Sequence, residues 1–140
     1  MSYTTLLFLH VLSAFVMVTA VGMYVAIAVA VRGERHAAPA LALAPVAGLL
    51  WAVGGLAVIV FGIWLALHVG QYSLTDGWII AAIVLWVIGS GLGGRISAGY
   101  RRARADGGMS LDSATLTLTL LLVLTVVVIL IDMIYKPGAS

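Results

Sequence analysis

There is no cysteine anywhere in these 140 residues. That excludes disulfides, iron–sulfur clusters and thiolate metal sites, and leaves His, Asp, Glu and Met as ligating side chains. Charge is nearly as scarce. Asp, Glu, Lys and Arg make up 9% of the chain, against about 25% in soluble domains. There is one lysine, Lys136, and the formal net charge is +2. A chain this poor in polar side chains has no surface to show to water. Its few arginines read as topology signals, and nothing supports a nucleic-acid partner.

What is present is apolar: 64% hydrophobic residues and a mean hydropathy of +1.21. About 20 apolar residues are needed to cross about 30 Å of hydrocarbon as a helix. Four segments qualify, over about 4–31, 47–69, 78–94 and 115–135. They are continuous rather than alternating, and an open sheet in lipid would leave unpaired edges. The expectation is a single all-α transmembrane domain, a four-helix up-down bundle. Pro39 and Pro45 precede the second span, so residues 40–44 form either an interfacial turn or a bent extension. The first span lacks the basic residues that would precede it in a signal peptide, so it is expected to be retained.

Orientation follows from the arginines. Link one holds Arg32 and Arg35, and link three holds Arg95, Arg101, Arg102 and Arg104. Link two, "GQYSLTDG", has no Lys or Arg. Basic links stay in the cytoplasm, which places both termini and link two on the extracytoplasmic side. Lys136 alone dissents. Tyr3, Tyr72, Trp78 and Tyr135 are expected to form an outer aromatic belt. Asp76 or Thr75 is expected to cap the third helix, and Ser110 or Asp112 the fourth.

His10, His68 and Asp132 are, tyrosines aside, the ionisable groups inside the apolar segments at their outer ends. Such groups are costly in lipid without a partner. On the second span Gly54, Ala57, Phe61, Trp64 and His68 recur at helical spacing. On the first, His10 shares a face with Ser13, Ala14, Met17 and Tyr24. If those stripes meet, an outer pocket forms, floored by Phe61, Trp64 and Met17. Three readings stay open: a ligand pair for haem, copper or zinc; proton-coupled transport through Asp132 and a histidine; or interhelical hydrogen bonds that pin the helices. Transport usually calls for polar groups near the midplane, and the middles of these spans are nearly bare.

Other motifs carry less. Gly89, Gly91 and Gly94 spell G-x-G-x-x-G, but without the strand that precedes a dinucleotide site. Gly89 and Gly93 read better as a close-packing surface toward a bundle neighbour or a second copy. The arginine-rich link with Tyr100 reads as a topology signal or a contact with anionic headgroups. Thr115, Thr117 and Thr119 alternate, which assigns them to helix-end hydrogen bonding rather than a shared face. Ser13, His10 and Asp132 have no nucleophile elbow around them, so a hydrolase triad is not expected.

The stretches "FLHVLSAFVMVTAVG", "FGIWLAL" and "SLTDGWIIAAIVLWVI" resemble a broad group of small bacterial membrane proteins. That group includes short predicted integral membrane proteins, CopD-like copper-resistance proteins and HemJ-like haem-associated proteins. The resemblance implies a bacterial plasma-membrane location and associates the first-helix histidine, here His10, with haem or copper. Where the group often has Trp and a Gly-Gly pair, this chain has Met17 and Ala20–Gly22. Its later spans also lack the basic residue of HemJ-like proteins. With the resemblance added, the expectation is a non-catalytic site on His10 and His68, for haem b first and copper next. Met17 and Trp64 line it, and Ser13 and Asp132 support it. Electron transfer or cofactor handling would be its role. The alternatives are an accessory subunit of a larger membrane complex or homo-oligomer, and a small transporter.

Overall fold

The computed structural model describes residues 1–33, 37–69, 72–107 and 111–136. Arg35, Ser110 and the tail beyond Lys136 lie outside the described residues. The helices are α1 (Tyr3–Arg32), α2 (Ala37–Leu41), α3 (Ala44–Val69), α4 (Gly77–Ala105) and α5 (Ser113–Tyr135). α1, α3, α4 and α5 are long and apolar enough to cross a membrane. Even α5, with 23 residues, spans about 35 Å at 1.5 Å per residue. This is the build of a multi-pass membrane protein. Large apolar side chains such as Phe8, Phe15, Leu49, Leu56 and Leu120 point outward, each more than 60% exposed.

Two boundaries differ from the sequence reading. Pro39 lies in the one-turn α2, and Pro45 in the first turn of α3, where a missing N–H costs no helical bond. The approach to the second span is therefore a separate short helix. The third span does not stop at Gly94. It continues to Ala105, so Arg95 and Arg101 to Arg104 lie on α4 and not in a link. The reason is periodicity: Ile96, Gly99, Tyr100 and Ala103 recur every three or four residues and are all buried.

α1 packs antiparallel on α3, α4 on α5, and α3 joins the two pairs through α4. Missing side chains set the spacing. A Cβ on Gly54 would lie 2.8 Å from the Met17 backbone nitrogen, so α1 and α3 touch backbone to backbone. Gly93 and Gly89 receive the Trp51 indole, and Gly99 receives Thr115. The Gly89–Gly93 surface thus packs against neighbours within the bundle. Thr125 beside Gly89 and Thr115 beside Gly99 fix the register of α4 on α5. Thr115 and Thr119, four residues apart, both turn inward, while Thr117 is exposed. The alternation hid that shared face. Thr117 and Thr119 do bond to carbonyls four residues back, as expected of helical threonines.

Tyr100 is not at a headgroup surface. It is fully buried and stacks on Tyr24, with ring centroids 5.4 Å apart. Its hydroxyl donates to the Tyr24 carbonyl at 2.8 Å, and the Tyr24 hydroxyl meets Ser97 at 2.7 Å. This polar cluster locks α1 to α4 at the arginine-bearing end. At the other end Trp78 is buried rather than belt-facing, edge-on to Tyr72. Tyr3 and Tyr135 are exposed there.

Asp112 caps α5 by accepting the Thr115 N–H at 3.0 Å. Asp76 holds the N-cap position of α4 without a capping bond, and its carboxylate accepts the Ser73 N–H instead. The Thr115 hydroxyl and N–H, helped by Arg102, hold the Asp112 carboxyl below its ordinary range.

Two outcomes follow from this packing. Gly54→Leu forces α1 off α3 and should destabilise the protein by about 1–3 kcal/mol, the usual cost of overpacking. Gly22→Leu, where a Cβ meets nothing within 4 Å, should be close to neutral. Thermal unfolding in one detergent compares them. The Asp112 cap acts through the ionised carboxyl, whose pKa is lowered in the folded state. Its stabilisation is therefore present above the ordinary carboxylate range and lost as pH falls through the lowered value. Asp112→Asn should lower the melting temperature at neutral pH, and the gap to wild type should close in acid.

Candidate functional site

Because α1 pairs with α3 and α5 with α4, α1 and α5 meet only lightly. At the end that carries both termini this leaves a cavity of about 670 Å³. Ligand pockets commonly run to about 300–1,000 Å³. α1 lines it from Tyr3 to Val18, α3 contributes Gly62, Leu65 and Ala66, and α5 closes it with Leu130, Met133 and Ile134. Tyr72, Trp78 and Lys136 form its polar corner.

His10 is the imidazole in that wall. Its Nδ1 lies 3.0 Å from the Val58 carbonyl on α3. A carbonyl only accepts, so Nδ1 carries the proton and Nε2 keeps its lone pair. Gly62 makes the contact possible. It lies one turn beyond Val58, and a Cβ there would sit 3.0 Å from His10 Cε1 and 3.2 Å from Nδ1. The helix surface is hollowed where the ring must pass to reach the carbonyl. A ring held by Nδ1–H to a carbonyl, with Nε2 free, is the usual arrangement of a ligating histidine.

The other expected residues are placed differently. On α3 the stripe toward α1 runs Gly54, Val58, Gly62, Ala66, and not through Phe61, Trp64 and His68. The two stripes overlap in the sequence, and close backbone approach selects the one with glycine at both contact points. His68 is exposed. It lies six residues beyond Gly62, about 9 Å further along α3 and about 240° around it. The structure therefore does not bring His10 and His68 onto one wall. Trp64 is 44% exposed, and Met17 is buried against Gly54 two turns below His10. Neither lines the cavity. Ser13 donates to its own helix at the Leu9 carbonyl, 2.7 Å away.

Asp132 is buried, and its Oδ2 has no hydrogen-bond partner. The α4–α5 register puts it level with Ala82, which offers no donor. The acceptor that fixes the His10 ring is the Val58 carbonyl and not this carboxylate. Among the described residues no three His, Cys, Asp or Glu side chains gather as a metal cluster. The cavity thus offers one imidazole nitrogen, apolar walls and a cationic corner.

Sequence reading missed that corner. Lys136 Nζ donates to the Tyr72 hydroxyl at 3.1 Å and lies over the Tyr72 and Trp78 rings, 4.8 and 5.4 Å from their centroids. Lys136 was the exception to the charge rule, and 64 positions separate it from Tyr72. No spacing signal joins them.

The tautomer is directly testable. Nitrogen-15 spectra of the purified protein at neutral pH should show His10 protonated on Nδ1. Gly62→Val should abolish that signature by pushing the ring off Val58. His10→Ala should cost about 0.6–2 kcal/mol of stability, the value of an interhelical hydrogen bond in a membrane.

The chain matches no family model, and neither a curated protein nor a solved structure shows significant similarity to it.

Proposed function

We propose that this chain is a bacterial plasma-membrane protein that holds one lipid-soluble, ring-bearing cofactor in the cavity beside His10. Haem b is the first candidate. The carrying observation is the His10–Val58 bond, which engages Nδ1 and orients an imidazole that lines an apolar cavity. His10 would hold such a group through one imidazole nitrogen. The residues favour a macrocycle that brings its own ligands over bare copper or zinc, for which the described residues supply no cluster. Haem there would supply one-electron chemistry, suited to electron transfer or cofactor handling rather than to bond-making on a substrate. The arginine-bearing end would face the cytoplasm, and the cavity the extracytoplasmic side. Kinship with CopD-like or HemJ-like proteins belongs to the same proposal.

A second reading has one observation in its favour. The His10–Val58 bond is itself an interhelical pin. In that reading the protein is an accessory subunit of a membrane complex, and the ring's free nitrogen faces lipid tails.

Absorption spectra separate the two. Protein purified from haem-replete cells should carry a Soret band that His10→Ala removes and His68→Ala leaves intact. Colourless protein that co-purifies with a stable partner would favour the accessory role. A band that survives His10→Ala would overturn axial ligation by His10.

A further inference from the structure

The polar corner of the cavity holds an ammonium with donors to spare. Trp78 is 7% exposed and lines the cavity, and among the described residues its enclosed indole Nε1–H has no partner. Buried N–H groups left unpaired are rare in folded proteins. Beside it, the Lys136 ammonium lies over the Trp78 ring. An ammonium has three N–H donors, and among the described residues its polar partner is the Tyr72 hydroxyl. The nearest carboxylate in sequence, Asp132, is not among the residues that line the cavity.

From this corner the cavity extends along α1 from Tyr3 to Val18. Those sixteen residues span about 22 Å, and the flanking side chains include Leu7, Val11, Ala14 and Phe15. The site is long, apolar and positively charged at one end. We propose that it binds a carboxylate-bearing amphipath, with the carboxylate against Lys136 Nζ and the apolar body along α1. This rests on the reading that the cavity holds a small molecule, and it names that molecule's chemical class. Two sources share the chemistry, a free fatty acid and a porphyrin bearing propionates.

The test uses the full chain in nanodiscs of zwitterionic phosphatidylcholine, so that no anionic headgroup competes. Oleate is compared with methyl oleate, and hemin with its dimethyl ester, by quenching of tryptophan fluorescence. At least one acid should bind more tightly than its ester. Lys136→Gln should weaken that acid about tenfold, the loss of one charged hydrogen bond, and leave the ester unchanged. Equal binding of acid and ester, a preference that survives Lys136→Gln, or no saturable binding of either acid would overturn the proposal. Which acid shows the preference identifies the source. Oleate selectivity together with a colourless protein would sink the haem reading and leave this one standing.

Discussion

The contact on which the rest of the structure depends is the meeting of α1 and α3 at Gly54 and Gly62. Hydrophobic collapse does not drive helices together inside a membrane, because lipid tails are as apolar as leucine. Close van der Waals packing and interhelical hydrogen bonds take over. Gly54 lets the two backbones touch at Met17, and Gly62 clears the path of the His10 ring to the Val58 carbonyl. With bulkier residues at these points α1 would stand further off, and the imidazole would lose its acceptor. The same pairing draws α1 away from α5 and so opens the cavity.

A recurring solution holds the helices together. His10 reaches the Val58 carbonyl, Trp86 the Gly55 carbonyl and Tyr100 the Tyr24 carbonyl. Each is an N–H or O–H donor on one helix aimed at a main-chain oxygen on another, using the lone pair that the helical ladder leaves free. These bonds join α1 to α3, α3 to α4, and α1 to α4. The tyrosine cluster at the arginine-bearing end is closed and satisfied. The opposite end holds a cavity and, among the described residues, an indole N–H without an acceptor and a carboxylate oxygen without a donor. One end is built for stability. The other retains buried polar groups without partners among the described residues.

That contrast narrows the chemistry. A single imidazole nitrogen and a lone ammonium do not make a metal cage or a hydrolytic triad. His10 lies midway along the α1 wall of the cavity, and Lys136 stands at its Tyr3 end.

The residue pattern alone determined the four spans, the antiparallel order, the basic and non-basic ends, and the presence of His10 near the end shared by the termini. Each depends on hydropathy or charge summed over many residues, which survives not knowing who touches whom. The tertiary structure decided which face of each helix turned inward. Along α3 the stripe through Phe61, Trp64 and His68 and the stripe through Val58, Gly62 and Ala66 are equally regular. Hydropathy cannot choose between them when every face is apolar. Backbone approach chose the second, which set His68 outward and joined His10 to a carbonyl rather than to Asp132. The Tyr24–Tyr100 stack and the Lys136–Tyr72–Trp78 corner were illegible for the same reason: they join helices distant in sequence, and only the register of packed glycines brings them level.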